Sequence, residues 1–482
     1  MKLSAKIAYN TIVQVIGKLV STILGLVAIA IMTRYLGNEG FGEYTTIITF
    51  AFIFSIIADL GLTLVTSQMI NRPNINQSKV LNNLFGFRLV SALVIIFLAP
   101  VVVQFFPYDP MIKFGVIVAS LSFLFLSLNQ VFVGLFQKEL RTDKIAIAEI
   151  IGRAMMVAGV FLAMILDWGL TGVLWAIVLT NFVQFIFHYY FSRKFAKVSL
   201  AFDWVVWKEI LHRCWPLFLT TALNLIYLKA DILLLSLFKN QVDVGIYGAA
   251  YKVVDVLITL PFMFAGILLP LFVRHWTSGN KDKYFQIFQK AFDATALIVI
   301  PLMIGGYFLA DSIMVFVAGK DFVLSGPVLR ILVFAIGAVF FGALFTHAAV
   351  SFDRQKKLIK YYAITAITAL PLYFWLIPKY SYFGAAWVTF YSEVLIFVLS
   401  FWSVWHYSKF FPKLAVLGKS IVAAGIMGVA LYYLRDWASQ SMFYFVVILF
   451  LASALYFLVI YLLKGFSRED ILSLINKKDH EV

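Results

Sequence analysis

Residues 33–70 read TRYLGNEGFGEYTTIITFAFIFSIIADLGLTLVTSQMI, and this stretch decides the fold. A short glycine-rich bend joins two apolar runs, and the second run carries Asp59 deep inside it with Gly61 close behind. An aspartate near the centre of a membrane span costs about 3 kcal/mol or more unless it meets water or a partner. Gly42 and Tyr44 stand at the mouth of that run, and the same Gly-x-Tyr spacing returns at Gly245 and Tyr247 before another apolar run. The recurrence predicts one bundle of helices used twice.

Working outward, the whole chain has the same character. Of its 482 residues, 62% are hydrophobic and 13% charged, and the mean hydropathy is +0.93. Soluble domains average about 45–50% apolar and about 25% charged residues. The composition excludes a soluble enzyme and predicts an all-α polytopic membrane protein. The opening MKLSAKIAYNT is basic and leads into a run interrupted by Gln14 and Lys18, with no small-residue cleavage site after it. It reads as a retained first transmembrane helix. A single cysteine, Cys214, excludes an internal disulfide framework and a cysteine-rich metal site. No metal ligand set and no cofactor motif is expected.

A bilayer crossing needs about 20 residues. That window gives about fourteen transmembrane helices, roughly at 8–32, 42–70, 83–106, 111–136, 145–166, 170–191, 215–238, 244–272, 285–309, 327–351, 359–377, 383–407, 418–434 and 442–463. With the N-terminus inside, 27 of the 39 Lys and Arg residues fall in inside segments, seven outside and five within spans. Basic residues accumulate in cytoplasmic loops, so both termini are expected to be cytoplasmic. Topology accounts for most of the +15 net charge, and nucleic acid is not needed as a partner.

Asp203 is placed to cap a helix whose Trp204, Trp207 and Leu211 share one face, as an interfacial helix would. The stretch 310–322 predicts one short helix stopped by Gly319. In the tail, Ser467 and Asp470 begin another amphipathic turn with Ile471, Leu474 and Ile475. An internal repeat aligns TGVLWAIVLTNFVQF (171–185) with FGAAWVTFYSEVLIF (383–397): Gly172 matches Gly384, Trp175 matches Trp387 and Phe185 matches Phe397. The expected organisation is an N-lobe of spans 1–6 (residues 1–200), a C-lobe of spans 7–12 (201–408), and spans 13–14 with a cytoplasmic tail (409–482). Two six-helix lobes related by an internal repeat are a transporter architecture, with the substrate site between repeats.

Polar stripes mark where chemistry belongs. Gln14, Lys18, Ser21, Thr22 and Gly25 share one face of the first span. Thr220, Asn224, Tyr227 and Asp231 repeat the device on the seventh, and Tyr247, Tyr251, Asp255 and Thr259 on the eighth. Such stripes either line a hydrated cavity or hold helices together by hydrogen bonds. Five cations lie within spans: Lys18, Arg88, Arg153, Lys229 and Lys252. Arg88 and Lys252 lie near enough to span ends to snorkel. Arg153 has Glu149 four residues earlier as a ready partner, and Lys252 can reach Asp255. Surplus cations in a cavity suit an anionic head group such as a phosphate or pyrophosphate. The buried acids Asp59, Asp231, Asp255 and Glu393 are candidates for coupling to H+ or Na+, or counter-ions of the same cations. There is no P-loop, so the chain is not expected to hydrolyse ATP. Of six scattered histidines only His188 and His347 lie within or at the end of spans, where hydrogen-bonded helix packing is the ordinary role.

With these residues in place, RYLGNEGFGEYTTIITFAFIFSIIADLGL (34–62) resembles the start of the bacterial polysaccharide flippases. These are the oligosaccharide-lipid branch of the multidrug/oligosaccharidyl-lipid/polysaccharide exporter superfamily. Arg34-Tyr-Leu-Gly37, Gly40-x-Gly42-x-Tyr44 and Asp59-Leu-Gly61 occur in the expected order. ADILLLSLFKNQVDVGIYGAAYKV (230–253) looks like the family's second signature, and GKDFVLSGPVLRIL (319–332) is similar too. The resemblance implies a two-lobed, fourteen-helix transporter in the bacterial cytoplasmic membrane. It would move undecaprenyl-pyrophosphate-linked oligosaccharide repeat units to the periplasmic leaflet by alternating access, for O-antigen, capsule or exopolysaccharide. A glycan polymerase and a chain-length regulator are candidate partners on the same implication. In that family cationic cavity residues are proposed to meet pyrophosphate or acidic sugars; here Lys18, Arg153, Lys229 and Lys252 are the candidates, placed by helical position.

The alternatives are a peptidoglycan-precursor flippase, a cation-coupled drug exporter, and a membrane-embedded glycan polymerase or ligase. Fourteen spans argue against the drug exporter, whose relatives usually have twelve. The enzyme would be expected to carry a sizeable outer loop, and none is visible.

Overall fold

The computed structural model describes residues 3–59, 61–71, 76–352 and 355–465; side chains are described throughout except at 3–9, 11, 12, 15, 64, 216–228, 355 and 356. Among the described residues every regular element is helical. The expected tail helix at 467–475 lies outside them. Among the described residues eleven helices are long and apolar enough to cross a membrane. The chain is a multi-pass membrane protein, and only helices or closed barrels satisfy backbone hydrogen bonds in lipid.

The chain divides into two compact units, Met1–Gly248 with Tyr373–Tyr382, and Ala249–Leu372 with Phe383–Val482. The first unit is built from α1 (Leu3–Asp59), α2 (Leu62–Ile70), α3 (Gln77–Ile96), α4 (Leu98–Val102), α5 (Pro110–Lys138), α6 (Thr142–Ile165), α7 (Gly169–Ser192) and α8 (Trp204–Phe238). The start of α9 (Gln241–Thr277) also belongs to it. The second unit holds the rest of α9, then α10 (Lys281–Ala318), α11 (Ser325–Ser351), most of α12 (Gln355–Ser408), α13 (Ala415–Ala438) and α14 (Met442–Leu462).

The bend expected in the 33–42 stretch is a single-residue break: Gly37 takes φ 64, ψ −172 inside α1, a region closed to most side chains. Ser381 makes the matching break in α12 at φ 50, ψ −132. The second apolar run is itself divided, because Asp59 ends α1 and Gly61, left-handed at φ 78, starts α2. Elsewhere local rules hold. Pro110 opens α5 at the position where its missing N–H costs nothing. Asn76, Asn280 and Ser441 accept backbone hydrogens at the starts of α3, α10 and α14. Buried hydroxyls in the apolar runs bond back to the preceding turn, as Thr45 does to Phe41, Ser120 to Val116 and Thr180 to Ala176.

Two expected short helices turn out to be ends of long ones. Asp203 caps α8 by accepting from the Val205 amide, but the helix runs on without a break into the seventh apolar run. Trp207 packs on Phe87 and Phe202 while Trp204 stays exposed. Residues 310–318 are the last turns of α10, which Gly319 stops as expected.

In the first unit α1, α5, α6 and α7 pack against one another. At one end Leu62, Leu84, Phe132, Phe136 and Ile210 make an apolar core shared by α2, α3, α5 and α8. In the second unit α11 is largely buried and packs on α10, which also carries α13. Leu309, Met427, Leu431 and Tyr456 join α10, α13 and α14.

The two Gly-x-Tyr copies meet each other within the first unit. A Cβ on Gly42 would lie 1.7 Å from the Gln241 carbonyl oxygen, and one on Gly245 would lie 2.0 Å from that of Asn38. The backbones of α1 and α9 therefore touch, and only glycine fits at either place.

Candidate functional site: a polar cavity in the first unit

Four helices that are otherwise apolar each turn a polar stripe toward one cavity of about 480 Å³. Lys18 comes from α1, and Ser122, Asn129 and Gln130 from α5. Glu149 and Arg153 come from α6, and Thr180, Asn181, Gln184 and His188 from α7; Tyr44, of the first Gly-x-Tyr pair, adds to the lining. The volume falls within the range of about 300–1,000 Å³ usual for small-molecule sites.

The charged side of the cavity lies between α1 and α6. Lys18 Nζ is 3.2 Å from Glu149 Oε1, and the Ser21 hydroxyl donates to the same oxygen at 3.1 Å. The face predicted on α1 is thus the face that meets α6. The pair expected within α6, Glu149 with Arg153, does not form, because Lys18 takes the carboxylate from the neighbouring helix. Arg153 lies instead over Gly25, where a Cβ would be 3.6 Å from Nη1, and donates to Met156 Sδ at 3.7 Å. No carboxylate lies within ion-pair distance of Arg153 among the described residues. One positive charge in the lining is left uncompensated.

The part of the lining supplied by α5 and α7 is uncharged. His188 Nδ1 is 3.0 Å from Asn129 Oδ1, Asn129 donates to the Asn181 carbonyl at 3.3 Å, and Asn181 donates to Ser122 Oγ at 2.6 Å. This chain of donors assigns the proton to His188 Nδ1. His188 holds helices together, the ordinary role expected for it. Gln130 and Gln184 spend their amides on no protein group among the described residues. The sequence reading passed over this wall. Asn181, Gln184 and His188 fall at i, i+3 and i+7 on α7, the helical spacing that marks the polar face of α1, so periodicity alone places them on one face.

The other candidates lie elsewhere. Arg88 is 1% exposed and ion-paired to Asp59, with Thr63 and Ser127 as further acceptors at 3.0 and 3.2 Å. Its Nη1 has no partner among the described residues, and Arg88 is not in the cavity lining. Asp231 is buried and accepts from the hydroxyl of Tyr247, the second repeat tyrosine, at 2.7 Å; Lys229 is half-buried nearby in sequence. In the second unit Lys252 and Asp255 lie 4.0 Å apart on α9, Tyr251 is buried, and Glu393 is within electrostatic reach of Tyr362. Gln14 is exposed and outside the lining. The side chain of Asn224, like those of Thr220 and Tyr227, lies outside the described residues.

Known proteins give this arrangement a context. Among solved structures, the lipid II flippase MurJ in an inward closed conformation superposes with a TM-score of 0.77 at 16% identity, covering 96% of this chain and 100% of that one. An inward-facing multidrug resistance transporter of the MATE family, MOP superfamily, gives 0.64 at 14% identity, covering 87% and 98%. These likenesses establish the fold. Among curated sequences, the probable flippase AglR of Haloferax volcanii is 22% identical over 262 residues, 52% of this chain and 53% of its own length. The probable low-salt glycan biosynthesis flippase Agl15 of the same organism is 28% identical over 107 residues, 22% of each chain. The chain thus spans about half the length of one of these relatives and about a fifth of the other. The family model described as "Polysaccharide biosynthesis protein" matches residues 7–276, which take in both Gly-x-Tyr copies and all four helices of the cavity. That match exceeds half of the sequence, and the chain belongs to the polysaccharide biosynthesis protein family.

Proposed function

We propose that the protein is a flippase that carries undecaprenyl-pyrophosphate-linked oligosaccharide repeat units from the cytoplasmic to the outer leaflet by alternating access between two lobes. The observation that carries this reading is Arg153, a cation in a polar cavity with no carboxylate to neutralise it. Arg153 is half-buried, so its guanidinium is partly withdrawn from water yet open to a visiting anion, and a phosphate accepts from the planar fork in two places. Lys18, released from Glu149, supplies a second contact; Lys229 and Lys252 serve the anion outside this cavity.

The lipid part of such a substrate needs apolar room. The second unit contains an apolar cavity of about 540 Å³ lined by residues such as Leu257, Pro301, Val333, Met427, Phe445 and Tyr456, which suits part of a polyprenyl chain. The likeness to the lipid II flippase supports a second reading, in which the glycan is a peptidoglycan precursor. On either reading Asp231, Asp255 and Glu393 are the candidates for H+ or Na+ coupling, while Asp59 is the counter-ion of Arg88.

The test is analysis of lipid-linked glycans and their leaflet in a strain lacking the gene. The expected result is accumulation of single complete units on the cytoplasmic side, relieved by the wild-type gene and not by Arg153→Gln. Units accumulating on the outer side would instead indicate a polymerase or ligase. Unchanged glycans with altered drug sensitivity would indicate an exporter, and loss of lipid II export alone would select the peptidoglycan reading.

A further inference from the structure

The uncharged part of the polar cavity, supplied by α5 and α7, has a chemistry of its own. Gln130 and Gln184 each offer two amide hydrogens and a carbonyl with two lone pairs, and neither is spent within the protein among the described residues. Asn181 spends its nitrogen on Ser122 and keeps its side-chain oxygen. Helical spacing puts Asn181 and Gln184 on one face of α7, and Gln130 reaches the same cavity from α5.

The position of Gln184 is built into the backbone of α6. A Cβ on Gly152 would lie 2.3 Å from Gln184 Nε2 and 2.8 Å from its Cδ. The amide therefore lies across the bare backbone of α6, one residue from Arg153. A donor–acceptor group and an uncompensated cation are held side by side.

We infer that Gln184, Gln130 and Asn181 form a sugar subsite beside Arg153, specific for an uncharged sugar that bears hydroxyl or acetamido groups. The inference rests on the reading of Arg153 as the anion contact and names what lies next to that anion. A phosphate uses donors only. Amides that present donors and acceptors together match hydroxyl and acetamido groups, which also carry both. An acidic sugar would bring a second negative charge to the uncompensated guanidinium of Arg153, where it must compete with the pyrophosphate, and its carboxylate has no hydrogen to give to the free oxygen of Asn181. The first sugar of the glycan is therefore neutral.

The test uses the full chain in lipid nanodiscs and three probes: polyprenyl pyrophosphate, the same lipid carrying one N-acetylglucosamine, and the same lipid carrying one glucuronic acid. Binding is read by thermophoresis on samples that stay monodisperse. The wild type is expected to prefer the N-acetylglucosamine probe over both others. Gln184→Leu and Gln130→Leu should each reduce that preference about tenfold, near the upper end for one lost hydrogen bond. Their affinity for the bare pyrophosphate should stay within about twofold. Gly152→Ala removes no polar atom, so a similar loss of preference there would show that the placement of Gln184 matters; it also serves if a leucine variant fails to fold. Arg153→Gln should weaken all three probes and keep their order. A wild type without preference for the neutral sugar, tighter binding of the glucuronic acid probe, or a preference untouched by Gln184→Leu and Gly152→Ala would each overturn the subsite. Arg153→Gln without effect on any probe would overturn the anion reading instead, whatever the amide variants do.

Discussion

Asp59→Asn should be among the most damaging single substitutions outside the apolar core, and markedly worse than removal of its partner. The two ends of this ion pair differ in exposure: the Arg88 side chain keeps 1% of its surface and that of Asp59 keeps 26%. Asp59→Asn leaves the guanidinium charged and buried against neutral acceptors alone, the new amide oxygen and the hydroxyls of Thr63 and Ser127, with Nη1 already unpartnered. Breaking a buried pair from one side costs about 3–5 kcal/mol, and this geometry puts Asp59→Asn in that range. Arg88→Met removes the buried charge itself. The remaining carboxylate is partly exposed and still accepts from Thr63 at 2.7 Å, so the loss should be about 1–2 kcal/mol. The double variant should be more stable than Asp59→Asn alone, since an apolar side chain replaces a stranded cation. Thermal unfolding of the purified protein in detergent, followed by loss of the monodisperse peak, reads all four members of the cycle. Equal losses for the two single variants, or a double variant that simply sums them, would refute the view that the buried guanidinium sets the cost.

Gly42→Ala has no room against the Gln241 carbonyl, so α1 and α9 must separate; overpacking of this kind costs about 1–3 kcal/mol or more, visible as a lower Tm, whereas Gly266→Ala, with nothing within 4 Å, should not lower it by that mechanism. Asp203 lies outside the spans, and its hydrogen bond from Lys79, then those from the α8 amides, holds its carboxyl below the ordinary 3.8. A depressed folded-state pKa gives stability that is present above the unfolded value and is lost as pH falls through the folded one. The Tm of the wild type should therefore drop on acidification below about pH 4 more than that of Asp203→Asn, and Lys79→Met should remove most of the difference; parallel curves would refute the coupling.

What the sequence reveals depends on whether the deciding contact is local. Helical periodicity placed Lys18, Ser21 and Gly25 on one face, and the structure brings that face onto α6. The same logic paired Glu149 with Arg153, and failed because a competitor from another helix, Lys18, reached the carboxylate. Nothing in the spacing of Asp59 and Arg88 marks them as partners; their meeting depends on how α1, α2 and α3 pack. Gly37 advertises its break, since glycine is at home at positive φ, but Ser381 does not, because serine rarely adopts that conformation. The Asn181–Gln184–His188 stripe was legible by the same period as Lys18.

The arrangement around Glu149 suits a carrier better than a tight receptor. With Lys18 and Arg153 both unpaired, an anion about 4 Å away would gain about 4 kcal/mol from each at an effective dielectric constant near 20. Affinity of that size slows release, and transport requires release. Glu149 neutralises one cation and leaves one, so attraction is present but limited, and a second negative charge must compete with Glu149 for Lys18. Glu149→Gln should then bind polyprenyl pyrophosphate more tightly and translocate it more slowly in proteoliposomes. A gain of about tenfold or more in affinity with a lower turnover is the expected result, and high salt should shrink the gain because Lys18 keeps 43% of its side-chain surface exposed. If Glu149→Gln weakened binding, Glu149 would be positioning Lys18 for the anion and not restraining it, and the charge balance argued for this cavity would be wrong.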